Sequence, residues 1–200
     1  MGDWKSYMFA ASRHGKDNQI RRYTHEAYVT HGVEVRGVFG TVSHLFPDNE
    51  AERLEHVCMM HDLLEDTSTT YEEIRALFGE WVADGVRHLT DKFTHEDFPD
   101  MNRAQRKHEE AVRLHKNLTS GLKAVKLADM LVNGRTIRRH DPDFWVVYRE
   151  EGLQLCTLLM DGHPATMSLG RQLQQLCKTR SEKEKNWHKE EIRISGDMEE

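Results

Sequence analysis

His61-Asp62-Leu63-Leu64-Glu65-Asp66-Thr67 is the stretch on which the reading of this chain turns. On a helix, His61 and Glu65 share one face, a turn apart, and Asp62 and Asp66 lie on the adjacent one. One imidazole and three carboxylates then crowd into a turn and a half. Such groups repel one another and resist burial unless positive charge sits among them. A divalent metal held by His61 and Asp62 would supply that charge, leaving Glu65 and Asp66 as acid–base groups. The plainer reading is a solvated acidic helix end ahead of a turn.

Outward from this stretch, apolar residues recur at helical steps. Ala51, Leu54, Val57, Cys58, Met60 and Leu64 predict one helix over 49–65, begun after Pro47. Downstream, Thr69 with Glu72 or Thr70 with Glu73 offers a capping box for TYEEIRALF, which stops at Gly79. WVADGVRHLT reads as a short helix, 91–101 as an irregular polar loop and 102–117 as a basic amphipathic helix. LKAVKLADMLVN is the most apolar helix and is expected at the centre. Pro142 suits a helix first turn, and a further helix follows Gly162-His163-Pro164. Upstream, residues 4–14 read as a first helix, and Thr30 as the cap of a helix beginning at His31. Strand-like alternation is weak throughout, so the expected class is all-α, a helical bundle over 1–178. The charged segment 179–200 lacks an apolar face and reads as a flexible tail or frayed helix.

Composition narrows the function. Among 200 residues, 34 acids against 28 bases leave a net charge of −6, which argues against a nucleic-acid partner. No stretch approaches the roughly 20 apolar residues of a membrane helix, and the N-terminal residues show no apolar signal core. Three cysteines without a CxxC pair point away from a disulfide framework and toward a reducing cytoplasm. Two more segments bear on a metal. Tyr28-Val29-Thr30-His31 puts a histidine at the start of an apolar helix. Lys126-Leu127-Ala128-Asp129 puts an aspartate within the most apolar helix, where burial is costly unless the group is paired or metal-bound. A salt bridge to an arginine would also satisfy Asp129. The remaining histidines, His14 and His56 among them, carry no motif and are expected mostly at the surface.

Taken together, YxTH, HDLLEDT and VKLADxLxN, with the LFG and Val86-Arg87-His88-Leu89-Thr90 phrases, resemble the HD-domain metal-dependent phosphohydrolases. They resemble most the hydrolase domain of the Rel/Spo alarmone enzymes and its stand-alone small relatives of the metazoan SpoT-homologue type. The resemblance covers about residues 5–175. It implies an HD-domain helical fold, a bound Mn²⁺ or another divalent transition metal, and removal of the 3′-pyrophosphate from guanosine tetra- or pentaphosphate. It implies His31, His61, Asp62 and Asp129 as metal ligands and Glu65 with Asp66 as the pair that orients and deprotonates water. For the small nucleotide substrate it implies Asn133, Arg22 packed on guanine, Arg103 and Lys92 on phosphate, and Tyr148 near the nucleotide. The sequence departs from the family where Arg-Lys-x-Gly-Glu-Pro-Tyr reads Arg22-Tyr23-Thr24-His25-Glu26-Ala27-Tyr28. Arg21 could supply the charge lost with the lysine. Two alternatives stay open: the same chemistry on an adenosine alarmone, NADPH 2′-phosphate or a deoxynucleotide, and a non-catalytic nucleotide binder or antitoxin.

Overall fold

In a computed structural model, residues 4–178 are described. Among the described residues ten α-helices run in order: α1 (Lys5–Lys16), α2 (Val29–Gly40), α3 (Asp48–Met60), α4 (Leu63–Asp66), α5 (Tyr71–Phe78), α6 (Glu80–Leu89), α7 (Arg103–Asn117), α8 (Ser120–His140), α9 (Pro142–Leu159) and α10 (Pro164–Lys178). A 3₁₀ turn, Ser43–Leu45, joins α2 to α3. Among the described residues there is no strand beyond an isolated bridge between Ile20 and Ala27. The expected all-α class is the observed one. The proposed tail, 179–200, lies outside the described residues.

The apolar segment expected at the centre is α8. It packs against α2, α3, α6, α9 and α10. Leu122, Ala124, Val125, Leu127, Ala128, Leu131 and Val132 are all buried along it. A helix apolar nearly all round is stable only when neighbours surround it, and here they do. Trp145 of α9, Phe39 of α2 and Leu54 of α3 are among the largest fully buried side chains of the core.

Local chemistry sets the helix ends. Thr70 and Glu73 form the anticipated capping box at α5, and Asn102 with Gln105 forms a second at α7. The Asp141 side chain accepts from Phe144 N, with Pro142 in the first turn of α9. Two expectations need correction. Thr30 does not cap α2: the helix starts at Val29, and the Thr30 hydroxyl donates to the Ala27 carbonyl. The expected helix over 49–65 is broken. α3 ends at Met60, His61 and Asp62 form a turn, and α4 adds a single further turn. Both residues keep right-handed helical dihedrals, and His61 Nε2 and Asp62 Oδ1 come within 3.1 Å of each other at this turn.

Gly32 permits the close approach of α2 to α3. A Cβ there would stand 3.0 Å from the Met59 carbonyl oxygen. That backbone contact holds the neighbouring His31 against the end of α3.

Candidate active site

Four side chains from three parts of the chain converge at the α3–α4 turn. His31 Nε2 lies 3.1 Å from Asp129 Oδ1 and 3.6 Å from Asp62 Oδ2. His61 Nε2 lies 3.1 Å from Asp62 Oδ1 and 3.5 Å from Asp129 Oδ1. His31, His61 and Asp129 are buried and form a group able to hold one metal ion. Asp62 completes the expected set of four.

The site fits a divalent cation. His61 Nδ1 donates to the Cys58 carbonyl at 2.9 Å, which leaves the opposite ring nitrogen free to coordinate. That nitrogen, Nε2, is buried and has no hydrogen-bond partner. Mixed imidazole and carboxylate donors suit a first-row divalent metal. The electrostatics agree. Burial works against a proton on His61, but Asp62 and Asp129 outweigh it and push its pKa well up. Burial likewise works against charge on Asp62, yet His61 and His31 bring its pKa down to about 2. For Asp129, burial is overcome by Lys126 and the two imidazoles, and its pKa is held far below the carboxylate range. So much fixed negative charge, already drawing a proton to His61, would draw a cation more strongly.

The two acid–base candidates occupy different surroundings. Desolvation and the neighbouring Asp91 push Glu65 up to about 7, and its Oε1 accepts from the Asp91 backbone N–H. Burial and Asp62 also raise the pKa of Asp66. Glu65, beside a candidate metal site, can take a proton near neutral pH.

Several participants are given no role by the motif reading. The Tyr28 hydroxyl donates to Asp62 Oδ2 at 2.9 Å. Burial, with Asp62 and Asp66 beside it, raises its pKa. Gln19 Nε2 donates to the Asp66 carbonyl, and His14 donates to Gln19 Oε1 at 2.6 Å. His14 is only 4% exposed and packs its ring at a tilt against Tyr28, which corrects its expected place at the surface. Lys126 Nζ lies 3.2 Å from Asp129 Oδ2. Burial disfavours its charge, but Asp129, Asp91 and Glu65 more than restore it. The three-residue step from Lys126 to Asp129 was the available clue, since it places both on one helix face.

Of the expected substrate residues, three line a cavity with Asp129 and two do not. Asn133 Nδ2 donates to Asp129 Oδ1 at 2.6 Å. Tyr148 is buried and its hydroxyl donates to the Met130 carbonyl at 3.3 Å. Arg103 forms a two-pronged pair with Glu151 at 2.7 and 3.0 Å and lies over the Phe144 ring. All three line a cavity of about 160 Å³ with Asp129, Lys126 and Lys107. Lys107 is salt-bridged to Asp91 at 2.6 Å. Lys92 is exposed and does not line that cavity; its backbone N–H donates to Glu110. Arg22 is exposed too, with its guanidinium over Tyr23. The inward place in that loop belongs to Arg21, 7% exposed and salt-bridged to Glu34 at 2.9 Å. His25, standing where the family phrase has Gly, adopts a left-handed backbone at φ 58°, so the turn is kept without the glycine.

No family model matches the chain. Individual proteins do. It is 34% identical over 164 residues to the guanosine-3′,5′-bis(diphosphate) 3′-pyrophosphohydrolase MESH1 of Xenopus tropicalis, covering 80% of this chain and 84% of that one. The human protein of the same name is 31% identical, with 85% and 87% covered. Among solved structures, a metazoan ortholog of SpoT described as hydrolysing ppGpp superposes with a TM-score of 0.67. The match spans 86% of this chain and 90% of that one at 24% identity, and so supports the shared fold. Among the described residues, no helix is long and apolar enough to cross a membrane.

Proposed function

Given that the chain belongs to the MESH1 family of guanosine-3′,5′-bis(diphosphate) 3′-pyrophosphohydrolases, we propose that it hydrolyses guanosine 3′,5′-bis(diphosphate) and the pentaphosphate form. The products are GDP or GTP and pyrophosphate. The observation that carries this reading is the convergence of His31, His61, Asp62 and Asp129 around the bare, buried Nε2 of His61. These four would hold a divalent cation, which we take as Mn²⁺; when bound it would supply Lewis acidity and lower the pKa of water beside it.

The remaining roles fall to the chain's own side chains. Glu65 and Asp66 orient the attacking water and accept its proton. Lys126 and Lys107 bring positive charge to the cavity beside Asp129, where the 3′-diphosphate oxygens gain charge as water attacks the phosphorus next to ribose O3′; the P–O3′ bond breaks and O3′ takes up the proton that Glu65 and Asp66 relay. Arg103 joins them when the substrate displaces Glu151 from its guanidinium. Asn133 holds Asp129 from the next turn of α8 and presents its amide to the ribose side. Tyr28 fixes the Asp62 carboxylate. Lys92 and Arg22, both outside the cavity lining, contribute through longer-range attraction of the anionic substrate.

The test is incubation with Mn²⁺ and labelled guanosine tetraphosphate, with identification of products. GDP and pyrophosphate in equal amounts support the reading. Cleavage of NADPH or deoxynucleoside triphosphates at least tenfold more efficiently would overturn the substrate assignment and leave the metal chemistry standing. Mn²⁺ binding without turnover of any nucleotide would favour a non-catalytic binder.

A further inference from the structure

His14, in the last turn of α1, is a buried histidine outside the metal group. An apolar side chain would meet a packing role there at lower cost, since a buried imidazole needs hydrogen-bond partners. Its surroundings give it a specific one. Asn18, at φ 51°, turns the chain back just after α1, in a left-handed backbone that asparagine tolerates better than most residues. The turn sets Gln19 beside His14, and the Gln19 backbone N–H donates to the His14 carbonyl at 3.0 Å. The two side chains then meet, His14 Nδ1 to Gln19 Oε1 at 2.6 Å. The other end of the Gln19 amide, Nε2, donates to the Asp66 carbonyl.

That amide can stand only one way. The Asp66 carbonyl accepts and cannot donate, so Nε2 faces it and Oε1 faces His14. His14 Nδ1 therefore carries a proton and donates it, which fixes the orientation of the Gln19 amide. The element at the far end of this link needs support. α4 is a single turn, Leu63–Asp66, and so short a helix has little stability of its own. Its last carbonyls find no partner within the helix, and that of Asp66 is among them. A second contact lies alongside, where the Ser68 N–H donates to Asp17 Oδ2 at 3.2 Å. The end of α1 thus grips the end of α4. Tyr28 braces the same corner: its N–H donates to the Gln19 carbonyl at 3.2 Å, its ring packs on His14 at 4.7 Å between centroids, and its hydroxyl reaches Asp62.

We infer that His14 and Gln19 are positioning residues for Asp66: the Nδ1–H of His14 orients the Gln19 amide, and that amide holds the end of α4 so that the Asp66 carboxyl keeps its place beside Asp62. The inference rests on the proposed hydrolysis, in which Asp66 handles the attacking water. It deepens that reading by adding a link that touches neither the water nor the nucleotide. Position is decisive at such a point, because a misplacement of about 1 Å can cost about a hundredfold in rate. The two residues act in series, so removing either breaks the same link.

The test compares three variants. His14→Leu fills the space without a donor, Gln19→Met keeps the length without the amide, and His14→Asn returns an amide N–H close to where Nδ1–H stood. With Mn²⁺ and guanosine 3′,5′-bis(diphosphate), His14→Leu and Gln19→Met should lower kcat about tenfold or more, with KM and Mn²⁺ affinity within about threefold of wild type. The double variant should fall no further than the worse single one. His14→Asn should recover kcat to within about threefold of wild type. In metal-free protein, hydrogen exchange at the Thr67 and Ser68 amides should quicken about tenfold or more in the Leu and Met variants and not in the Asn variant, with the amides of α8 unchanged. Wild-type kcat in His14→Leu or Gln19→Met overturns the inference, as do losses that multiply in the double variant. His14→Asn as impaired as His14→Leu would reduce the histidine to ring packing and overturns it too. If His14→Leu does not fold, Gln19→Met, at a half-buried position, decides by the same kcat and exchange criteria. If the wild type hydrolyses no nucleotide the proposed activity fails, and the exchange rates still decide whether His14 and Gln19 hold the end of α4.

Discussion

Asp129 is the residue on which both the metal group and the surrounding charge balance depend, and Asp129→Asn separates the two. The substitution keeps the shape and removes one charge. Asp129 Oδ2 lies 3.2 Å from the Lys126 ammonium. At an effective dielectric of about 20, that contact corresponds to about 5 kcal/mol of attraction. Asp91, Glu65 and Asp62 also favour the ammonium and retain part of it. The new amide oxygen can still accept from Lys126. The expected net loss is about 3 kcal/mol, the lower end for a broken buried pair. In a chain of this size that lowers the melting temperature by about 6–12 °C. Urea unfolding in the presence of a chelator measures it without interference from metal. Elemental analysis of the Mn²⁺-loaded variant should show metal lost, because His31 and His61 both lean on Asp129. Adding Lys126→Met should recover about 2 kcal/mol in a double-mutant cycle. Stability within about 0.5 kcal/mol of wild type, with no coupling in the cycle, would refute the electrostatic account. Full metal stoichiometry in the variant would refute the four-ligand assignment.

Glu65→Gln and Asp66→Asn remove a base while keeping its shape; turnover should fall by about a hundredfold or more with metal content unchanged, and metal loss in either variant would make that residue a ligand instead. Gly32→Ala forces a Cβ against the Met59 carbonyl at 3.0 Å. It should cost about 1–3 kcal/mol in urea unfolding and weaken Mn²⁺ binding through His31, whereas wild-type stability would mean that α2 and α3 separate freely. Asp161 joins α8 to the start of α10: although burial opposes its charge, Thr166, Ser120, the His163 N–H and Lys123 hold its pKa down to about 2. With the folded pKa below the ordinary 3.8, its stabilisation is full above about pH 4 and is lost as pH falls through about 2. Asp161→Asn should therefore cost about 1 kcal/mol at neutral pH, after allowance for solvent screening; unfolding curves at pH 7 and pH 2 check this, and a penalty that persists at pH 2 would assign it to packing.

The sequence alone determined that the chain is helical and where most of its helices lie. Those properties are carried by residues three or four apart and by caps that act within one turn, such as Thr70 with Glu73. It also carried the candidate ligands, because an aspartate amid leucines and alanines is conspicuous wherever it ends up. The tertiary structure decided what these groups do to one another. His31 and Asp129 meet across 98 residues of chain, a distance no local pattern spans. The turn at His61 and Asp62 replaces helix where the local periodicity favours helix. Arg21 rather than Arg22 turns inward because Glu34 and Thr136, on helices distant in the chain, are there to receive it. Likewise, His14 is buried because Gln19 and Tyr28 meet it, and through them it reaches the neighbourhood of Asp66. Helix propensity and capping act within a turn and can be read in order along the chain. Burial, pKa and charge pairing depend on which distant elements pack together, and that is settled only when the chain has folded.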